Sequence, residues 1–600
     1  MAAIMSAYGV FILPLVLALL YVAYRAALPK PLPDIPYNRD AAGQLLGDVP
    51  EMMGYVKRTK RIFCWLTSLT DRHKSPIVQV FIKPFSYPWV VITDPFESQD
   101  ILLRRNREFD RAPFFGEVIG GIIPGQHSHK LSSDVQFKRN RALINHLMAP
   151  TFIQEVSAPE MYRATEEMIR VWGIKCDMAA GRPFSAHHDL TYLALDAILA
   201  ALFGLAEEEN VTLQRLREMQ NWTPPPGLEA SSTGEPVPFP ETEDIVPPIS
   251  AAIITICMSI TENQLSPAPA LTAWVSRRFP YMRRAIAVKE EYVGRKIDEC
   301  IPRVDPASAA AAAASSNKNS GDNKSPQARS ALHSVLLRER DTAAKEGRRP
   351  EYHSRAVVDE FTGFLMAGHD TTATTMAWSV KYLADNPGAQ DRLRAELRAA
   401  FPGAATPSYA ELAGSHVAYL DAVVEEVLRH AGSIAFVVRR AMCDAPVLGR
   451  VVPRGTNVFL MANGAGYLAP NRPVEPDGLR APGARRGGGG GGAADANKGL
   501  TGVWDDADIG AFKPERWLRS AGDGVVVFDP MAGPSLPFGA GPRGCYGRRL
   551  ALQALRIQIA LAVWHFELRP CPPELSSYDS VQKFAREPTQ CYVRLSRVEW

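Results

Sequence analysis

Hydrophobic and polar positions follow several different periods along the chain. Met1 to Tyr24 contains no charged side chain, and its centre, Val10 to Leu20, is continuously apolar. At ~1.5 Å per helical residue this run is long enough for a bilayer core of ~30 Å, so it predicts one transmembrane helix at the N-terminus. Arg25 and Lys30 follow it, which places the body of the chain in the cytosol. A cleaved signal peptide would instead carry positive charge ahead of the apolar run. Pro29, Pro31, Pro33 and Pro36 then form a stiff, extended hinge.

Beyond the hinge, Ile77 to Thr93 carries short β-branched runs around Pro84 to Pro88, the pattern of a hairpin. Phe137, Arg141, Ile144 and Met148 recur at helical spacing until Pro150 interrupts, and the helical pattern continues to Trp172. Leu190 to Phe203 predicts a buried helix. The proline-rich stretch Asn221 to Ser250 predicts loop, and Ile253 to Ile260 a short core or membrane-dipping segment. Tyr352 to Asn386 is the strongest helical stretch and stops at Pro387. Two biased segments, near 307–329 (alanine-rich) and 485–497 (with Gly487 to Gly492), read as flexible insertions.

Composition narrows the function classes. A net charge of +3 gives no basic excess for nucleic acid. Cys64, Cys176, Cys257, Cys300, Cys443, Cys545, Cys571 and Cys591 are scattered, without a CxxC pair, so neither a zinc site nor a disulfide framework is indicated. Three sequons, at Asn210, Asn221 and Asn323, are expected to stay unmodified in a cytosolic body.

Four stretches carry chemistry. Phe538-Gly-Ala-Gly-Pro-Arg-Gly-Cys-Tyr-Gly547 sets Cys545 among glycines, just ahead of a helical run from Arg548. A helix N-terminus favours thiolate, so Cys545 is either a metal ligand or a nucleophile. Within the long helix, Ala367-Gly-His-Asp-Thr-Thr372 brings small residues where a flat group can pack, and an Asp370–Thr371 pair suited to proton relay; read alone, it is a kink with surface polar residues. Glu426 and Arg429 share one helix face, which alone reads as a surface ion pair. Phe512-Lys-Pro-Glu-Arg-Trp517 adds Arg516, able to complete a buried triad.

Together, in this order, the four resemble the cytochrome P-450 family of haem-thiolate monooxygenases, eukaryotic microsomal type. The cysteine segment matches F-x-x-G-x-R-x-C-x-G at every fixed position. The resemblance covers about Pro31 to the end. It implies a mainly α fold with small β-sheets (α+β), a triangular, mostly helical haem-binding domain over residues 29–600 after a 1–28 anchor. It implies haem b, with Cys545 as proximal iron ligand and Phe538 packed beside it. Arg543, Arg439 and Arg141 pair with propionates, and Gly368 lies against the cofactor. Asp370 and Thr371 deliver protons during oxygen activation, and Glu426, Arg429 and Arg516 form a structural triad. The implied partners are NADPH–cytochrome P-450 reductase, O2, a lipophilic substrate and the endoplasmic reticulum membrane. Two positions depart from the pattern: Phe137 stands where tryptophan is common, and His430-Ala-Gly-Ser433 replaces a usual proline.

Other readings fare less well. Gly539 to Gly544 fits GxGxxG but has no strand before it. His187-His188-Asp189 points its histidines to different helix faces, His127 and His129 read as surface residues near a substrate loop, and His369 as a packing or polar contact. A haem-thiolate isomerase or dehydratase, or a non-catalytic haem protein, are the alternative functions; the intact Asp370–Thr371 pair argues against the first.

Overall fold

The computed structural model describes residues 2–223, 234–241, 245–305, 330–403, 405–474, 479–480, 501–522 and 524–599, with side chains from residue 14 onward. Both biased insertions and the Asn323 sequon lie outside the described residues.

The chain divides into two compact units. The first comprises Met1–Ala112, Ala435–Thr501 and Ala540–Pro542. It begins with α1 (Ala2–Ala27) and is built on strands β1 (Ile77–Val80), β2 (Trp89–Ile92), β3 (Phe109–Arg111), β4 (Phe436–Ala441) and β5 (Asn457–Met461). They form one sheet in the order β1-β2-β5-β4-β3. The expected hairpin is present, with Ile77 opposite Ile92. β2 pairs in parallel with β5, Val90 opposite Val458, and the other neighbours are antiparallel. Val78, Val80, Val90, Val91, Val458 and Leu460 are fully buried, which explains why these strands read as continuous apolar runs rather than alternating ones. Among the described residues no helix is long and apolar enough to cross a membrane; the first half of the apolar run Met1–Tyr24 lies outside the described side chains.

The second unit, Pro113–Ile434, Gly502–Gly539 and Arg543–Trp600, is mainly helical. Its helices include α2 (Val135–Ile144), α3 (Ala158–Ala179), α4 (His187–Phe203), α5 (Pro248–Leu265), α6 (Pro269–Ser276), α7 (Pro280–Val304), α8 (Arg355–Asp385), α9 (Ala418–Ala431) and α10 (Arg548–His565). β6 (Phe566–Arg569) and β9 (Tyr592–Arg597) pair with each other, and β7 (Ser580–Gln582) and β8 (Arg586–Pro588) make a separate hairpin. Trp172, Val423, Val427, Ile559 and Trp564 lie in one core built by α3, α9 and α10.

Most helical expectations hold, with shifted ends. α8 begins three residues later than its apolar pattern, because Ser354 caps it by accepting the Val357 N–H. Its threonines bond back to carbonyls, yet the helix runs uninterrupted from Arg355 to Asp385. The loop expected up to Ser250 ends earlier, since Pro248 starts α5 in the first-turn position proline tolerates. Ile253 to Ile260 is core rather than a membrane dip: Ile253, Ile256 and Ile260 are fully buried within α5. Asn210 is a buried cap whose side chain accepts the Leu213 N–H and donates to Glu167.

Candidate active site

The Cys545 loop closes on itself. The Cys545 N–H donates to the Phe538 carbonyl at 2.7 Å, folding the glycine segment back before α10 starts. Gly539 and Gly541 have φ of +62° and +69°, the left-handed region that admits glycine cheaply. At Gly541 a Cβ would also fall 2.0 Å from the Leu102 carbonyl oxygen. Gly547 occupies the cap position of α10, which puts the Cys545 sulfur at the positive end of an 18-residue helix.

Cys545 is exposed, unlike Cys176, Cys257, Cys300 and Cys591, which are buried. Its surroundings are nevertheless crowded: burial pushes the thiol pKa up, against the Gly547 N–H and the Arg548 charge, which pull it down. Burial and the helix end thus act on the thiol in opposite directions, and burial is the larger. A coordinated cation would supply the missing stabilisation, because a metal-bound thiol deprotonates outright. An accessible sulfur in desolvating surroundings suits a ligand better than a free nucleophile.

Two cations gather beside this loop. Arg543 is buried; its Nη2 donates to the carbonyls of Ser128 and Lys130 at 3.0 and 2.8 Å. Its guanidinium lies 4.2 Å from the Phe137 ring centroid. Arg141, on α2, stands 4.2 Å over the Tyr546 ring and makes no ion pair among the described residues. Phe137 thus gives up an indole N–H but serves as a platform for Arg543. Tyr546, which the sequence reading passed over, is a hub. It stacks on Phe364 of α8 at 6.1 Å and meets His127 edge-on at 5.6 Å. Its hydroxyl is buried with no hydrogen bond among the described residues, and burial pushes its pKa up to about 12 despite Arg141.

His127 is not a surface residue. It is buried, its Nδ1 lies 2.7 Å from Glu360 Oε2, and its N–H donates to Glu360 Oε1. Asn140 donates to the same carboxylate. His129 is half-buried against the Pro124 carbonyl. Asp189 accepts from the Lys175 ammonium and the Trp172 indole.

On α8, Ala367 is exposed within an otherwise largely buried helix. Gly368 has a packing reason for its size: a Cβ there would fall 2.9 Å from Ile198 of α4. His369 is buried with Nδ1 3.2 Å from the Leu365 carbonyl; burial draws its pKa down against the pull of Asp370. Thr371 donates its hydroxyl to the Ala367 carbonyl at 2.8 Å. Asp370 Oδ2 accepts the Ala585 N–H at 2.9 Å. Arg439, in the first unit, lies fully buried on β4 and donates to the Val438 carbonyl.

The Glu426–Arg429 pair, a surface feature when read alone and part of a buried triad when read with Arg516, is deeply buried. Glu426 is fully enclosed and accepts from Arg429 Nε and Nη2 at 2.9 and 2.7 Å, from Arg516 Nε at 3.1 Å, and from the Trp517 indole at 2.9 Å. The Lys513 N–H adds a further bond. Burial would raise its pKa, but the bonds from Arg429 and His430 outweigh that and hold it well below the usual carboxylate range.

Haem fits these residues: an exposed, crowded thiol for iron, Arg141 free of any ion pair among the described residues for a carboxylate, and the unsatisfied Tyr546 hydroxyl beside it. Loop, cations and long helix define a haem-thiolate protein. A sequence model of the family described as Cytochrome P450 matches residues 250–467 and 502–594. Cytochrome P450 monooxygenase TRI13 of Fusarium sporotrichioides is 33% identical, over 97% of this chain and 98% of its own. Cytochrome P450 monooxygenase GME11363 of Pestalotiopsis microspora is 33% identical over 96% of both. The crystal structure of the cytochrome P450DA heme domain superposes with a TM-score of 0.62 at 17% identity, over 95% of this chain and 99% of that one, a likeness of fold. The chain belongs to the cytochrome P450 family, and as such is a haem-dependent oxidoreductase that incorporates oxygen from O2.

Proposed function

We propose that this chain hydroxylates, or otherwise oxidises, a lipophilic small molecule at haem b, using electrons from NADPH passed on by a separate NADPH–cytochrome P450 reductase. The observation that carries this reading is the closed Cys545 loop with Arg141 and Arg543 beside it. When bound, the haem supplies the iron at which O2 is activated, with thiolate donation favouring O–O cleavage. The chain's own residues do the rest. The Gly547 N–H and Arg548 support negative charge on the sulfur. Arg141 and Arg543 hold carboxylates, while Phe364 and Tyr546 fix the loop against α8. Thr371 keeps its hydroxyl proton on the Ala367 carbonyl until it is needed, and Asp370 is the neighbouring acid.

The test is reconstitution with reductase and NADPH, scored by product and by the ratio of product to NADPH consumed. Thr371→Ala is expected to keep NADPH consumption while product falls about tenfold or more and peroxide is released, because the product-forming step has lost its proton-transfer group. Equal coupling in variant and parent overturns the proton role.

A membrane site, at the endoplasmic reticulum with the body facing the cytosol, is part of the same proposal. The uncharged run Met1–Tyr24 supports it, together with Leu15, Leu17, Leu19, Leu20 and Val22, all exposed on α1. A second support lies in the other unit. Leu271, Trp274, Phe279 and Tyr281 are exposed on and between α6 and α7, with Arg278, Arg283 and Arg284 exposed around them. No acidic residue occurs between Glu262 and Glu290. Aromatic rings collared by arginines suit an anionic lipid interface. With vesicles containing brominated phosphatidylserine, the full chain is expected to show fluorescence quenching that Trp274→Phe reduces and high salt weakens; quenching unchanged by that substitution removes this support.

A further inference from the structure

Glu360 lies on α8, about two helical turns ahead of Ala367, and is fully enclosed. Its ion-pair partner among the described residues is His127, and no arginine or lysine there pairs with it. Oε1 accepts the His127 N–H at 2.7 Å and the Asn140 side-chain amide at 2.8 Å, and Oε2 lies 2.7 Å from His127 Nδ1. A carboxylate buried without an arginine or lysine beside it is costly, so each of these bonds is needed to keep it there.

Both elements that meet at this carboxylate lead to an arginine beside the Cys545 loop. Asn140 adjoins Arg141 on α2. The turn at His127 supplies the carbonyls of Ser128 and Lys130, to which Arg543 Nη2 donates. Loop and helix are also tied to each other, since the Asn140 amide donates to the Gly125 carbonyl at 2.7 Å. The Gly125 N–H donates to Asp359 Oδ2 at 2.6 Å, a second tether to α8. Rings close the circuit. His127 meets Tyr546 edge-on, Phe364 of α8 stacks on the same ring, and Arg141 stands over it. Arg543 in turn lies over Phe137, which shares α2 with Arg141.

We propose that Glu360 is the positioning residue for the carboxylate-binding arginines: by accepting from His127 and Asn140 it fixes Arg141 and Arg543 against α8, aimed at the haem carboxylates. This rests on the reading of those two arginines as haem-carboxylate holders, and adds what aims them. The role needs acceptor oxygen at a fixed reach and not a charge. Glutamine keeps an oxygen for the His127 N–H and for Asn140, and its amide donates to Nδ1 of the other His127 tautomer. Alanine leaves the donors of both elements unpaired.

The test follows haem transfer from the ferric full chain to excess apomyoglobin by the Soret change. Each protein is loaded either with haem or with its dimethyl ester, whose neutral side chains no arginine can pair by charge. With haem, Glu360→Ala is expected to lose the cofactor about tenfold faster than the parent, the scale for removing the group that orients a ligand, while Glu360→Gln stays within about twofold. With the ester, parent and Glu360→Ala are expected to agree within about twofold, because nothing is left for the arginines to hold. A parental rate for Glu360→Ala with haem overturns the proposal. So does equal acceleration with haem and ester, which is general loosening, or a glutamine variant as fast as the alanine one. If Glu360→Ala does not fold, Asn140→Ala decides, since it removes only the α2 bond: faster loss with haem and a parental rate with the ester supports the proposal, and a parental rate with both overturns it. Arg141→Ala separates the two readings. A parental rate there, with haem, removes the carboxylate-holding role itself; faster loss there beside a parental Glu360→Ala leaves that role standing and removes only its positioning by Glu360.

Discussion

Cys545→Ser abolishes the red-shifted Soret band of the ferrous carbonyl and, with it, monooxygenase turnover. The band reports a thiolate opposite the carbonyl, and a serine hydroxyl near neutral pH does not ionise to replace it. The loop itself survives the change, since its closing bond is made by the Cys545 backbone N–H and the Phe538 carbonyl. Arg141 and Arg543 also remain in place. The expected variant is therefore folded and able to take up haem, with weaker retention because the covalent tie to iron is gone. Turnover should be lost with it, because the thiolate donation that favours O–O cleavage is gone. An unchanged carbonyl band sinks the ligand assignment. A variant that takes up no haem but keeps its far-ultraviolet helical signal supports it, because Cys545 then carries more of the binding than the arginines do.

What the sequence made legible was local. The cysteine loop fits in ten residues and α8 in one uninterrupted run, so spacing alone identified both. The β1–β2 hairpin was readable for the same reason, its strands being joined by a short turn. The parallel partner of β2 was not: Val90 meets Val458 across most of the chain, and no short-range pattern announces it. The site divides the same way. Asp370 and Thr371 stand in one motif, but the Ala585 amide that engages Asp370 is 215 residues on. His127 read as a surface histidine because the carboxylate that buries it, Glu360, is 233 residues away. Tyr546 stood next to the ligand in plain view. Its importance comes from Arg141, His127 and Phe364, which only folding brings to its ring. At Gly368 the small residue that suits a flat ligand also leaves room for Ile198, a neighbour the motif does not announce.

The second large effect is expected at Glu426. Read as an exposed i,i+3 pair, Glu426 and Arg429 would be worth under ~1 kcal/mol. Enclosed, the pair follows different rules: removing one partner strands the other and costs about 3–5 kcal/mol. Glu426→Gln leaves Arg429 and Arg516 facing a neutral amide that cannot balance either charge, and one of its groups donates where the carboxylate accepted. The Trp517 indole loses its charged acceptor as well. At about 3 kcal/mol the ratio of folded to unfolded chain falls more than a hundredfold. Because a protein of this size unfolds irreversibly, the loss is best followed as the half-life of the ferrous-carbonyl band on heating or in denaturant. The dependence on pH carries a sign. The folded pKa of Glu426 lies below its unfolded value of about 4.3, so its stabilisation is complete above that value and is lost as pH falls through the folded one. Parent and Glu426→Gln should therefore differ most at neutral pH and converge on acidification below about pH 4. A variant as long-lived as the parent at neutral pH shows that the triad carries no stability. A gap that stays constant down to acid pH shows that the charge on Glu426 is not what the arginines require.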